Sequence, residues 1–330
     1  MSPKKLSTGA RLRRALIPTS CRNRIGAQVA AFEQRLRKLG SLRGMMLVLL
    51  AVMLFVAMDT TTKLLVAHYP VSVVMWLRFI VHVGLLCAVL LPRYGVSVIK
   101  TSRLRVHFLR GTLLITSSFF FATALRYLPL PEVSSITFIS PILVTLLAVR
   151  LLGEKVELGR WIAIGCSFGA VLLIIRPGGA VFSWAALLPL LTATLFAVYQ
   201  IMTRRLTGVE SPVSLIFYPG LVGLVLYGIG FMTEPQIPSD PWHLVLILVG
   251  GILSVASHLT LIKAFQYAPA SQLAPFTYAQ LVWVVVAGYL VFGHLPDALT
   301  LVGITILIAS GVYCADRQRR VERVERSRTG

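Results

Sequence analysis

The sequence predicts an all-α polytopic membrane protein: ten transmembrane helices arranged as two inverted five-helix repeats. Three observations predict it: the apolar blocks, the placement of the basic residues, and a recurring sequence offset. The chain is 56% hydrophobic and only 13% charged, with a mean hydropathy of +0.81. A soluble domain of this length needs more charge to cover its surface. One spanning helix needs roughly 20 mostly apolar residues. Ten blocks meet or approach that length: Met45–Val66, Val73–Leu91, His107–Tyr127, Val133–Leu152, Trp161–Ile175, Trp184–Leu206, Val213–Met232, Trp242–Tyr267, Ala270–Phe292 and Leu299–Cys314. None alternates with period two, so helices and not barrel strands satisfy the backbone in lipid.

A formal charge of +20 would suit a nucleic-acid binder, but the positions of the charges exclude that partner. With both termini cytoplasmic, 26 of the 32 Lys/Arg fall in cytoplasmic segments and only Arg126 and Arg176 in outer loops. Lys63, Arg78, Arg110 and Lys263 lie inside spans. Such a bias is the positive-inside rule. It predicts a multi-pass cell inner-membrane protein whose partners are membrane lipids and a small-molecule solute.

Residues 1–43 form a basic cytoplasmic N-terminal tail in which Glu33 is the only acid, and 317–330 form a basic cytoplasmic C-terminal tail. The N-terminal tail lacks the apolar core of a secretory signal. Ile25, Val29, Phe32, Leu36 and Leu39 recur at helical spacing among basic residues. A helix lying on an anionic leaflet, a tail that only fixes topology, and an organellar transit peptide all share that composition.

Between the tails, residues 44–176 and 184–316 read as two copies of one unit. Ala124-Leu-Arg-Tyr127-Leu-Pro129 returns 140 residues later as Ala264-Phe-Gln-Tyr267-Ala-Pro269. The same offset relates Gly111 to Gly251, Ser117 to Ser257, Thr137 to Thr277 and Gly153 to Gly293; nearer the start, Phe55 matches Phe196 and Lys63 matches Arg204. Five spans per copy is an odd number, so the second copy must lie upside down. Inverted repeats of this kind characterise secondary transporters, with the solute site near the midplane.

Ala124-Xaa-Xaa-Tyr127 ending the third span, Pro141 inside the fourth, and Gly153-Glu154 after it resemble the EamA-type, ten-span members of the drug/metabolite transporter superfamily. The resemblance covers about 44–316. The second copy departs from the pattern: Leu281 stands at the proline position and Gly293-His294 replaces Gly-Glu. The resemblance implies a basket of spans 1–4 and 6–9 around a central cavity, with spans 5 and 10 peripheral. It implies no ATP site and no cofactor, and the sequence carries no Walker motif.

Ionisable groups inside a span cost roughly 2.5–3.5 kcal/mol near a helix centre, so each needs a partner or a wet cavity. Asp59 and Lys63 lie four apart on span 1, and Arg78 comes to similar depth on span 2. They read either as a solute clamp with a coupling carboxylate, or as charges that neutralise one another. Arg110 and Lys263 are expected to snorkel from span ends. His82 and His258 fall nearer mid-span, to titrate or to make one satisfied hydrogen bond. The uncharged polar set is Ser117, Ser118, Thr137, Ser140, Tyr199, Gln200, Tyr218, Thr277 and Gln280. It suits a hydrated site or simple helix–helix bonding at about 0.6 kcal/mol each. Among the aromatics, Trp76 and Tyr278 are candidates to stack on a planar solute, with Phe119, Phe120, Phe121 and Trp283.

Cys21, Cys87, Cys166 and Cys314 lack metal or redox spacing and read as small buried hydrophobes, so no metal is expected. Gly165-Xaa-Xaa-Xaa-Gly169 on span 5 is assigned to packing within the chain, leaving a monomer or homodimer. The functional expectation is a secondary transporter of a small organic metabolite. Family members of similar pattern suggest uptake of a planar, vitamin-like solute such as riboflavin; export of amino acids or drug-like metabolites is the alternative. An intramembrane enzyme would need a nucleophile–base set or metal ligands, and no His-Glu-Xaa-Xaa-His or Gly-Xaa-Ser-Xaa-Gly occurs. A sensor would carry a soluble domain larger than either tail.

Overall fold

The computed structural model describes residues 19–95, 100–152, 158–176, 183–206, 209–267, 273 and 276–329. Its regular structure is helical: α1 Thr19–Val66, α2 Val71–Tyr94, α3 Leu104–Tyr127, α4 Leu130–Thr137, α5 Ser140–Leu152, α6 Leu158–Ile175, α7 Leu187–Leu206, α8 Pro212–Thr233, α9 Pro241–Tyr267, α10 Ala279–Phe292 and α11 Ala298–Thr329. Among the described residues, six helices are long and apolar enough to cross a membrane, and four shorter apolar segments join them: Leu130–Val144, Trp161–Ile175, Ala279–Phe292 and Ala298–Tyr313. The chain is therefore an all-α polytopic membrane protein. The N-terminal tail from Thr19 is continuous with the first apolar helix. Residues 1–18, Gly153-Glu154 and Pro269 lie outside the described residues.

The block expected as one fourth helix is two. Pro141 has no N–H, so the carbonyl of Thr137 loses its helical donor. The chain turns through Phe138 and Ile139, and Ile142 N bonds back only to Ile139 O at 3.0 Å. A turn also falls at Tyr278, just before α10, although Leu281 and not proline follows it. The rings of Phe138 and Tyr278 meet, 5.5 Å between centroids.

Packing repeats across the molecule. The main partner of α1 is α9, and that of α3 is α7; α2 packs on α8, and α6 on α11. α3 also packs on α8 as α9 does on α2. Two glycines make these approaches close. A Cβ at Gly111 would stand 2.8 Å from Val222 Cγ2, and one at Gly251 would stand 2.4 Å from Val81 Cγ1. Val81 and Val222 are themselves 141 apart. Small residues let lipid-embedded helices gain dispersion contacts that lipid tails would otherwise supply.

The same reasoning misassigned Gly165 and Gly169. Nothing lies within 4 Å of a Cβ built on either, and both are exposed on α6. What packs α6 onto α11 is Gly303, whose Cβ would meet Ile174 Cγ1 at 2.7 Å. Cys166 shares that open face, so it is not a buried hydrophobe; Cys87 is half-buried. Where α6 ends, Arg176 takes a left-handed backbone, φ 50°, and its guanidinium pairs with Asp297 before α11. That pair and Thr300 pull the Asp297 carboxyl down to about 2.

Gly251→Ala should lower thermal stability in detergent, by about 1–3 kcal/mol for an overpacked contact. Adding Val81→Ala should return much of the loss. Equal melting points for Gly251→Ala and the unmodified chain would refute the close approach.

Candidate functional site

Arg78, on α2, is buried where α1, α2, α8 and α9 meet. Its Nη1 donates to Thr62 Oγ1 at 3.0 Å, and its Cδ comes within 3.9 Å of where a Cβ on Gly250 would stand. Thr62 Oγ1 in turn donates to Met58 O, one turn back on α1, at 3.0 Å. Both functions of the hydroxyl are used. The charges and rings facing Arg78 are Asp59, Tyr227, His82 and His258. Asp59, Arg78 and His82 are buried, Asp59 and Arg78 at 8% exposure each. Arg78 gives its described hydrogen bond to Thr62 and not to Asp59.

The two histidines of the cluster share Ser254. His82 Nδ1 lies 2.9 Å from Ser254 Oγ. His258 Nδ1 lies 2.7 Å from Ser254 O, and a carbonyl only accepts, so that nitrogen carries the proton. Their rings stand 6.1 Å apart, edge to face, and Phe55 abuts His258 at 4.9 Å. Tyr227 donates to Ile115 O at 2.8 Å and stacks on Phe79 at 5.7 Å. The result is a polar centre of one guanidinium, one carboxylate and two imidazoles, walled by Phe55, Phe79 and Tyr227.

Lys63 shares a face with Asp59 but turns away from it. Its Nζ donates to Leu125 O at 2.8 Å and to Leu128 O at 2.7 Å, and it lies 5.5 Å from the Phe292 ring centroid. Pro129 follows Leu125 by four residues, so the Leu125 carbonyl has no helical donor. Lys63 supplies one. A cavity of about 260 Å³ opens beside it, lined by α1, the α3–α4 corner, α10 and His294. His294 Nε2 approaches Glu132 Oε1 there, at 3.6 Å.

Arg110 does not snorkel. It is fully buried, donating Nη1 to Thr203 Oγ1 at 3.1 Å and Nη2 to Leu215 O at 2.6 Å. Pro219 stands four residues after Leu215, inside α8. Arg110 therefore seals a second proline-orphaned carbonyl, and it lies 5.2 Å from the Tyr199 ring centroid. His107, also fully buried, packs on Tyr218 at 4.5 Å, with Nε2 3.4 Å from Glu210 Oε2. Lys263 is exposed, in keeping with snorkelling.

Of the expected site residues, then, Asp59, Arg78, His82 and His258 come together. The others disperse. Trp76 stacks on Phe231, 4.3 Å away. Ser117 donates to Thr192 O at 3.0 Å, a bond between α3 and α7. Thr137 bonds its own helix at Val133 O, 2.8 Å. Tyr199 and Tyr218 belong to the Arg110 group, and Thr277 and Tyr278 to the Phe138 turn. Ser118, Gln200 and Gln280 are half-buried, and Ser140 is buried at the start of α5. Phe119 faces outward. The partners that sequence reading missed are Thr62, Ser254, Tyr227, His107 and Thr203. Thr62 and Thr203 stand 141 apart, the offset of Lys63 and Arg204, and could have been found that way.

Comparison with known proteins places this geometry. The EamA-like transporter family matches the chain twice, over residues 42–176 and 183–314. The chain belongs to the EamA-like transporter family. It is a secondary transporter of a small organic solute and not an enzyme. Relatives include the S-adenosylmethionine uptake transporter of Rickettsia conorii, 30% identical over 68% of this chain and 77% of its own. The riboflavin transporter of Rhizobium johnstonii is 27% identical over 71% of this chain and 77% of its own. A protein of known crystal structure has the same fold, with a TM-score of 0.61 and 20% identity over 86% of this chain and 99% of its own.

Thr62→Val would leave Arg78 Nη1 without its acceptor, and the loss should be about 1–3 kcal/mol for a buried charged donor. Thr62→Ser keeps the hydroxyl and should melt near the unmodified chain. Equal melting of the Val and Ser variants would exclude Thr62 as the support of Arg78.

Proposed function

We propose that the chain imports a planar heteroaromatic metabolite bearing carbonyl and hydroxyl groups, with riboflavin the first solute to test, and that Arg78 grips it. The observation that carries this reading is the buried Arg78 centre. A guanidinium presents five donors in a flat fork, and only one is used in a described hydrogen bond. Its Cζ lies 5.6 Å from the Phe79 ring centroid, and Phe55, His82 and His258 pack edge-on to one another nearby. Riboflavin and S-adenosylmethionine, the solutes of the two relatives above, both join a nitrogen heterocycle to a hydroxylated group, an open ribityl chain in the first and a ribose ring in the second. A carbonyl edge suits the fork, and stacked rings suit the aromatic wall.

The scaffold we propose is ten spans in two inverted repeats, 44–176 and 184–316, with both termini in the cytoplasm of a cell whose inner membrane holds it. Helix directions support the inversion. Lys63, near the C-terminus of α1, meets the C-terminus of α3, whereas the C-terminal part of α7 meets Arg110, near the N-terminus of α3. α1 and α7, equivalent by sequence, therefore run in opposite senses. The placement of Lys and Arg supports the orientation. Reporter fusions should read outside after His68, Arg126 and Gln236, and inside after Arg103 and Arg320. An inside signal at Gln236 would sink the ten-span topology.

The mechanism of recognition is tested by a double-mutant cycle of uptake in proteoliposomes. Arg78→Lys keeps the charge but loses the fork. Riboflavin uptake should fall about tenfold, the equivalent of roughly one charged hydrogen bond, at normal membrane levels of the protein. If Arg78 serves only to offset Asp59, Arg78→Lys is mild, and Asp59→Asn with Arg78→Gln restores what either single change loses. S-adenosylmethionine carries a sulfonium cation. Asp59→Asn should therefore harm its uptake more than that of neutral riboflavin, which tells the two solutes apart.

A further inference from the structure

The cavity beside Lys63 has no part in the Arg78 centre. Lys63 comes from α1, Tyr127 and Pro131 from the corner of α3 and α4, and Gly288, Phe292 and His294 from the end of α10. Both halves of the chain thus build it, and under the orientation above it faces outward. An ammonium has three N–H groups. Two of those on Lys63 are held by Leu125 O and Leu128 O. Among the described residues no acceptor takes the third. The donor is fixed in place by two bonds, stands against the Phe292 ring, and borders open space of about 260 Å³. Whole-ligand pockets run to roughly 300–1,000 Å³, so this space fits a fused ring system and not a complete solute.

We propose that this cavity is an outer subsite at which the solute's heterocycle rests before it reaches Arg78. A ring carbonyl or ring nitrogen accepts the third N–H of Lys63, and the ring face lies against Phe292. The inference rests on the uptake reading above. It adds a binding station some way from Arg78: Lys63 stands one turn beyond Asp59 on α1 and turns toward α3 and α10 instead of α2. Gly288 keeps the wall thin, because a Cβ there would meet Pro131 Cγ at 2.8 Å.

Site-directed labelling tests it in the full chain, reconstituted in vesicles. Phe292→Cys, and separately Arg126→Cys, are exposed from outside to a charged, membrane-impermeant maleimide. The unmodified chain, with its four cysteines, sets the background. Riboflavin and S-adenosylmethionine are the probes. A transported probe should slow labelling of both cysteines at least fivefold at saturation. Combined with Arg78→Lys, protection should persist while uptake falls, because the outer station fills without the inner one. Two results overturn the proposal and differ in meaning. If the unmodified chain transports a probe that leaves both labelling rates unchanged, the outer subsite alone is wrong. If it transports neither probe, the solute reading fails and the subsite fails with it.

Discussion

A carbonyl four residues before a proline has no helical donor, and in hydrocarbon it has no water. Each such group costs several kcal/mol unless something else reaches it. Pro129 and Pro219 create two of them, at Leu125 and Leu215. Each is sealed by a cation from another helix: Lys63 from α1 and Arg110 from α3. The exchange solves two problems at once. A buried cation needs acceptors, and a broken helix needs a donor. The prolines are tolerated because the cations are there, and the cations can be buried because the prolines free an acceptor. Much of the helix arrangement follows from it. Lys63 fixes the corner of α3 and α4 against α1, and Arg110 fixes the N-terminal turn of α8 against α3.

The family model matches the chain twice, and the two crossings between the matched segments carry different charges. Thr62 and Thr203 are equivalent, and each hydroxyl donates one turn back along its helix and accepts from a buried arginine. The arginines are not equivalent. One crossing places Arg78 on α2, where it meets α9 at Gly250 and Gly251. The other reverses the placement: Arg110 on α3 meets α8 near Pro219. By the offset, Arg110 corresponds to Gly250, and Arg78 to Pro219. Only one arginine fits each crossing, since two would leave like charges in one dry space. Asp59 and two histidines gather on the Arg78 side, and Glu210 and His107 on the other. The polar chemistry of the two crossings is therefore unlike even where the sequence offset makes them correspond.

Most of the helices were legible in the sequence, because lipid demands long apolar blocks and the blocks are long. Arg78 was legible for a related reason: an arginine mid-span cannot be incidental. What failed were statements about what lies across a helix. Arg110, near the end of its block, looked free to snorkel; depth along one helix does not reveal that Leu215 O waits on another. Asp59 and Lys63 share a face at four-residue spacing, yet the pull of a proline-orphaned carbonyl on α3 outweighs their attraction. Gly165 and Gly169 show the small-residue spacing of a helix crossing and meet nothing among the described residues, while Gly303 makes the crossing between α6 and α11. Spacing defines a face, but not its neighbour. The break before α5 was legible in Pro141. The matching turn before α10 was not, since Leu281 stands where a proline would announce it.

The two cation–carbonyl bonds engage opposite ends of α3, at Arg110 and Leu125, about 22 Å apart along the helix at 1.5 Å per residue. That placement matters for a carrier that must open to one side at a time. A cation–carbonyl bond in a dry, closed end is costly to break, because the carbonyl then loses its described donor. In an open end, water enters and takes over both roles at little cost. The bond is therefore strong where the protein is closed and weak where it is open, without any change of residue. A secondary transporter needs this condition, a seal whose strength depends on hydration. Here it follows from two prolines and two cations, Lys63 half-buried and Arg110 fully buried.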